Sequence, residues 1–296
     1  MTKKNLIVGQ SGGPTAVINS SLYGVVSEGL RQENVEHVYG MINGIEGFLK
    51  GNVLDFQESL PDGQLEYLTY TPGAYLGSCR YRLPESLEDP VYPALFQQFE
   101  KMNIGWFFYI GGNDSMDTVS KLSRYAAMTG SDVRIIGEPK TIDNDLALTD
   151  HTPGFGSAAK YIAASTKEVI RDAEGLTYKK NMITIMEIMG RNAGWLTGAT
   201  ALSKSEDCEG PDLIYLPEVP FDIEKFLAKV KDLLKKKSSV VIAVSEGIKL
   251  ADGRYVCELG SVGDYVDAFG HKQLRGNSYL SGEFPGSRVR LQDSCR

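Results

Sequence analysis

Val133-Arg134-Ile135-Ile136-Gly137 runs directly into Glu138-Pro139-Lys140-Thr141-Ile142-Asp143-Asn144-Asp145. The first part is short, rich in β-branched residues and closed by glycine, which reads as a buried strand. The second part sets two carboxylates, Asp143 and Asp145, just past the strand's carboxyl end, with Lys140 shortly before them. Alone, Asp-Asn-Asp is an ordinary solvated turn. In an open α/β sheet, however, the carboxyl ends of strands are where ligands bind. The choice between the two readings depends on what the other strand ends carry.

Working outward, the same layout recurs. Leu6 to Gly9 reads as a buried strand, Gln10-Ser11-Gly12-Gly13-Pro14 as a glycine turn, and Thr15 to Leu30 as a helix with Val17, Ile18, Leu22, Val25, Val26 and Leu30 at helical spacing. Pro14 suits a first helical turn. Strand, glycine turn and helix together point backbone N–H groups and a positive dipole end at a phosphate. The turn lacks the full GxGxxG and the Walker lysine, so a plain tight turn reads equally well. Ile104 to Ile110 is a second apolar strand, ending in Gly111-Gly112-Asn113-Asp114-Ser115, with a helix from Met116 to Met128. There the glycines permit close approach to a ligand, and Asn113, Asp114 and Ser115 offer oxygen ligands suited to magnesium. The alternative is N-capping by Asp or Ser.

Between these lie a strand, Glu36 to Met41, a helix, Val91 to Met102, and the segment Thr71-Pro72-Gly73-Ala74-Tyr75-Leu76-Gly77-Ser78-Cys79-Arg80-Tyr81-Arg82. Arg80 and Arg82 follow a glycine-rich loop, where a guanidinium can chelate phosphate; surface arginines are the alternative. Downstream, a helix spans about Ala158 to Asp172, and the strand Met182 to Ile188 runs into Met189-Gly190-Arg191. Strands at Leu213 to Leu216 and Ser239 to Val244 flank a helix from Phe221 to Lys237, and the last strand delivers Ser245-Glu246-Gly247. Alternating strands and helices imply parallel sheets with crossover helices, an α/β protein. Phosphate- or carboxylate-type chemistry recurs at strand ends near Gly13, Gly112, Asp143, Arg191 and Glu246, which is more specific than any one motif.

Composition sets the outer bounds. The 296 residues, 42% hydrophobic and 23% charged, suit a globular protein of one large or two medium domains. A net charge of −7 at pH 7 argues against nucleic acid or anionic membrane as a partner. Cys79, Cys208, Cys257 and Cys295 show no CxxC spacing, and three histidines leave little for a zinc site. No segment is long and apolar enough for a bilayer, and no secretory signal opens the chain, so the expected location is cytoplasmic.

Together, Ser11-Gly12-Gly13, Leu76 to Arg80, Gly111 to Ser115, Pro139 to Asp145, Met189-Gly190-Arg191 and Glu246 resemble the phosphofructokinase family in order and spacing. The resemblance implies two Rossmann-like α/β domains with the active site in the cleft between them, and a homodimer or homotetramer at full length. It implies a donor-binding domain over 1–150, a sugar-phosphate domain over 151–262 and an irregular segment, 263–296, where the family's later motifs are missing, as in a truncated chain. Asp143 resembles the general base that takes the proton of the fructose 6-phosphate 1-hydroxyl. Asp145, Thr141 and Ile142 resemble its substrate-binding neighbours. Met189, Gly190, Arg191 and Glu246 resemble the sugar-binding set, with Arg191 stabilising transition-state charge. Gly12, Gly13, Arg80 and Gly112 resemble the donor cradle, and Asn113 and Asp114 would hold Mg2+.

Asp114 and Lys140 stand where ATP-using members resemble one another in having glycine, and diphosphate-using members carry larger charged residues there. The resemblance therefore implies diphosphate as the phosphoryl donor. The alternatives are an ATP-dependent member, which Lys140 argues against, and an inactive fragment or noncatalytic subunit. Two departures stand out: Asn113 replaces a commonly acidic metal ligand, and Met182 replaces an arginine that ATP-type members reach across a subunit boundary.

Overall fold

The computed structural model describes residues 3–59, 64–176, 181–260 and 288–293. The chain divides between Thr141 and Ile142 into two compact units, a boundary inside the stretch quoted first and ahead of the expected position at 150.

In chain order the first unit holds β1 (Lys4–Gln10), α1 (Ile18–Arg31), β2 (Val35–Met41), α2 (Gly44–Leu49), β3 (Val53–Asp55), α3 (Phe56–Ser59), a 3-10 turn at Leu65–Thr69, α4 (Val91–Lys101), β4 (Ile104–Gly111), α5 (Asn113–Thr129) and β5 (Arg134–Pro139). The sheet order is β3-β2-β1-β4-β5. All its pairings are parallel except β2 with β3. Alternation along β1 explains the two faces. Leu6 and Val8 meet Ile18, Leu22 and Val26 of α1 on one face. Ile7, with Phe107 and Tyr109 of β4, meets Leu95 and Phe99 of α4 and Leu122 and Tyr125 of α5 on the other. A strand covered on both faces reads as a nearly continuous apolar run, as β4 does.

The second unit holds α6 (Phe155–Gly175), β6 (Met182–Ile188), α7 (Trp195–Gly198), a 3-10 turn at Ala199–Ser203, β7 (Leu213–Tyr215), α8 (Ile223–Leu234), β8 (Ser239–Ser245), a 3-10 turn at Val256–Gly260 and β9 (Arg288–Asp293). Its sheet, β7-β8-β6-β9, is parallel throughout. Met182, Met186 and Ile188 face α6, whereas Ile183 and Ile185 face Phe226 and Val230 of α8. Asp222 caps α8 by accepting from the Lys225 N–H at 3.0 Å.

Several expectations need correcting. Pro14 does not enter the first turn of α1, which begins at Ile18 after an intervening turn closed by the Ile18 N–H on the Thr15 carbonyl, 3.1 Å. α5 starts three residues ahead of the expected Met116, taking Asn113, Asp114 and Ser115 into the helix. After Gly194 the chain forms only a short α7 that tightens into a 3-10 turn. Within the expected irregular segment 263–296, Arg288–Asp293 forms a strand parallel to β6, whereas 261–287 and 294–296 lie outside the described residues.

Candidate active site

In the first unit, register brings three turns to one sheet edge. Gln10 pairs with Ile110, Ile110 with Glu138, and Gly111 with Pro139. The residues that follow β1, β4 and β5 therefore leave side by side. β1 and β4 are also where the strand order reverses, the position at which open α/β sheets bind ligands.

Lys140 joins the three turns. Its backbone N–H donates to the Gly111 carbonyl at 2.9 Å, and its Nζ donates to the Gly13 carbonyl at 2.5 Å. The residue is 6% exposed. Gly12 adopts φ +78°, and a Cβ there would lie 3.6 Å from Lys140 Nζ. The Gly12 N–H is directed at the Cys79 carbonyl, 3.3 Å, so Gly12 contributes shape and space more than a donor to phosphate. The helix that opens at this edge is α5. Its N-cap, Gly112, makes no side-chain capping bond, and Asp114 is the acidic residue of its first turn. The N-cap position is thus held by glycine and not by Asp or Ser. Asn113 is exposed, Asp114 half-buried and Ser115 buried.

Arg80 is exposed and lies on a strap fastened to the same turn. Ser78 Oγ donates to the Gly12 carbonyl at 2.6 Å, and Ser11 Oγ donates to the Cys79 carbonyl at 3.3 Å. Beneath the strap, Cys79 Sγ lies 3.6 Å from the Tyr109 hydroxyl, whose pKa is raised by burial and by the Cys79 sulfur. That hydroxyl stays protonated as a fixed neutral partner.

Magnesium fits the donor set present here in one manner only. Among the described residues no three His, Cys, Asp or Glu side chains gather as a metal cage. Asn113 and Asp114 supply an amide and a carboxylate at the mouth of α5. That set suits a magnesium ion held mainly by phosphate oxygens with one or two protein ligands.

In the second unit, Ile142 packs against the α6 core, and a Cβ on Gly154, the N-cap of α6, would lie 3.1 Å from its Cγ2. Its side chain is thus structural. Asn144, in the left-handed region at φ 59°, is buried and ties the loop. It accepts from the Thr152 N–H at 2.8 Å and donates to the Asp150 carbonyl at 3.1 Å. Asp143 and Asp145 flank this pinned residue, each half-buried with Oδ1 buried. Thr141, the last residue of the first unit, is half-buried.

The residues expected to bind the sugar are gathered by register as well. Ile188 of β6 pairs with Ser245 of β8, so Met189-Gly190-Arg191 and Glu246 emerge together. Gly190 N–H donates to Glu246 Oε1 at 3.2 Å, and Ser245 Oγ donates to the Gly190 carbonyl at 2.7 Å. Gly190 holds φ +126°, with a would-be Cβ 2.5 Å from the Ala193 carbonyl oxygen. Arg191 is half-buried and Met189 40% exposed. Met182 lies at the opposite end of β6, buried in the α6 cluster.

Ser78, Asn144 and Ser245 organise these loops, yet the sequence reading assigned them no role. Each is a small polar residue inside or beside a motif, a signal that marks turns in general and so points to no particular one.

Comparison with known proteins agrees with this arrangement. The family profile described as phosphofructokinase matches residues 5–279. The chain is 42% identical over 277 residues to the pyrophosphate–fructose 6-phosphate 1-phosphotransferase of Xanthomonas campestris pv. campestris, covering 93% of this chain and 65% of that protein. It is 40% identical over 279 residues to the protein of the same name from Halomonas elongata, with the same coverage. The crystal structure of a pyrophosphate-dependent phosphofructokinase from Nitrosospira multiformis superposes with a TM-score of 0.74 at 36% identity, covering 97% of this chain and 68% of that one. The chain thus spans about two thirds of the length of the relatives it matches. With the profile spanning nearly the whole sequence and both sheets carrying the motifs at their carboxyl edges, the chain belongs to the phosphofructokinase family.

Proposed function

We propose that this chain carries the machinery of a diphosphate-dependent 6-phosphofructokinase, moving a phosphoryl group from diphosphate to the 1-hydroxyl of fructose 6-phosphate. The observation that carries the donor assignment is Lys140. Its ammonium lies on the Gly12-Gly13 turn, 2.5 Å from the Gly13 carbonyl, with the residue 6% exposed. A long charged side chain there fills space that a nucleotide would need and offers a charge-assisted bond to a small anion. Such bonds contribute about 1.5–3 kcal/mol each. The relatives named for pyrophosphate support the same choice.

Asp143 accepts the proton of the sugar 1-hydroxyl as that oxygen attacks the terminal phosphorus of diphosphate. One O–P bond forms, the bridging P–O bond breaks, and orthophosphate leaves with its charge met by Lys140. Arg191 stabilises the charge that develops on the transferred group. Met189, Gly190 and Glu246 bind the sugar phosphate; Thr141, Asp145 and the backbone at Ile142 hold it beside Asp143. Gly12, Gly13, Arg80 and Gly112 shape the donor site. Asn113 and Asp114 would hold Mg2+, which when bound neutralises the phosphate oxygens. The bonds broken and formed are of comparable energy, so the reaction runs in both directions. By the same likeness the full-length form works as a homodimer or homotetramer, and buried thiols at Cys79, Cys208 and Cys257 suit a cytoplasmic location.

Product analysis tests the reading. With fructose 6-phosphate, diphosphate and magnesium, phosphorus NMR should record fructose 1,6-bisphosphate and orthophosphate accumulating in equal amounts. Hydrolysis of diphosphate without a bisphosphate product would refute it.

A further inference from the structure

The strap that presents Arg80 and Arg82 is fastened before and after them by buried polar side chains that the mechanism does not use. Before them, Gln10 Oε1 accepts from the Leu76 N–H at 2.9 Å, and Gln10 Nε2 donates to Asn19 Oδ1 at 2.9 Å. Asn19 Nδ2 in turn donates to the Thr71 and Gly73 carbonyls at 2.7 and 2.9 Å. After them stands Lys121, on α5 about two turns from Asn113 and Asp114. Its side chain is 3% exposed. Nζ donates to the Leu83 carbonyl at 3.1 Å and to Glu85 Oε1 at 2.8 Å, and pairs with Asp117 Oδ2 at 2.7 Å. Glu85 also accepts from Arg82 Nη2 at 3.4 Å.

We propose that Lys121 is a positioning residue for the phosphoryl-donor site, anchoring Leu83 and Glu85 to α5 so that Arg80 and Arg82 are presented in one conformation. The inference rests on the diphosphate reading for its ligand. An ammonium has three N–H groups, and here each has an acceptor. Lys121 is buried, but its partners Glu85 and Asp117 keep much of their surface in water, and pairs with such exposed carboxylates contribute little to stability. Stability alone is therefore a poor reason for a lysine at this position, where leucine or methionine would fill the space. What an apolar side chain lacks is a grip on the Leu83 carbonyl and on Glu85. Leu83 is itself in the aromatic core, and the Tyr92 hydroxyl donates to the adjacent Pro84 carbonyl at 2.6 Å. The anchor therefore stands on a rigid base, and the helix whose first turn carries Asn113 and Asp114 is the one that sets the arginines. Burial alone would lower the pKa of the Lys121 ammonium, but the bonds to Asp117 and Glu85 outweigh it and raise it, so the anchor is charged at any ordinary pH.

The test compares Lys121→Met and Lys121→Arg with the wild type by thermal unfolding, by hydrogen exchange over 76–88 and by steady-state kinetics. Lys121→Met should fold, speed exchange in the strap and raise KM for diphosphate on the order of tenfold or more. KM for fructose 6-phosphate should move less than about twofold, and Lys121→Arg should recover part of the loss. A folded Lys121→Met with unchanged strap exchange, or with both KM values raised alike, would overturn the proposal. If Lys121→Met does not fold, Glu85→Gln at the exposed end of the anchor takes its place, with smaller changes in the same direction expected and none contradicting it. If the wild type does not use diphosphate at all, the functional reading fails, while strap exchange still decides for or against the anchor.

Discussion

At the scale of single residues, the proposed function gives Lys140 and Asp143 separable roles on one loop. Lys140→Gly removes the ammonium from the Gly13 carbonyl while keeping the backbone bond to Gly111. It should lower kcat/KM for diphosphate by roughly 10²–10³, the cost of one preorganised charge donor, with little change in KM for the sugar. Equal losses for both substrates would show that Lys140 holds the loop and does not choose the donor. Asp143→Asn keeps the size and the half-buried position but removes the carboxylate proposed as the base. It should cut kcat by roughly 10²–10⁴ with both KM values nearly unchanged, measured by initial rates in either direction. The identities of these residues were legible because glycine, carboxylate and lysine at strand ends are rare together. The partners that hold them were not. Ser78 on the Gly12 carbonyl and Asn144 across its loop are contacts through space, and Ser and Asn are common in any turn.

At the scale of elements, β6 and β8 show why a strand end is a precise place for a ligand. Parallel register sets Gly190 against Glu246, and a single methyl group would disturb both. Gly190→Ala meets a strained φ of +126° and a Cβ 2.5 Å from the Ala193 carbonyl oxygen. It should cost about 1–3 kcal/mol of stability, read as a lower midpoint in chemical denaturation, and weaken sugar-phosphate binding more than diphosphate binding. Unchanged stability would mean that the backbone relaxes freely there. The strands themselves were read closely: β6 matches its expected span, and β1, β2, β4 and β8 differ by a residue or two at their ends. Period-2 alternation and apolar runs carry that signal. Helix starts were less legible. Pro14 is compatible with a first turn, but the chain makes a separate turn before Ile18; α5 begins at Asn113 because Gly112 lets it start without a side-chain cap. The short helices α2 and α3 were absent from the reading, since four to six residues give no periodicity to recognise.

At the scale of the whole molecule, two parallel-rich sheets each gather their chemistry at the carboxyl edge, and the loop joining the two units is the stretch with Lys140 and Asp143. That stretch reads first as a polar turn. The Lys140 bonds to the Gly111 and Gly13 carbonyls turn it into the organising feature of the first unit's carboxyl edge, and Asn144 makes it a pinned loop in the second. The alternation of strands and helices was enough to foresee the parallel sheets. The antiparallel edge strand β3 was hidden by its length of three residues. The central claim is the choice of donor, and initial rates with fructose 6-phosphate and magnesium, measured with diphosphate and then with ATP at equal concentration, test it most directly. Turnover with diphosphate exceeding that with ATP by at least about 10²-fold is the predicted result, given the charge and bulk of Lys140 on the Gly12-Gly13 turn. Turnover with ATP equal to or faster than that with diphosphate would contradict the account.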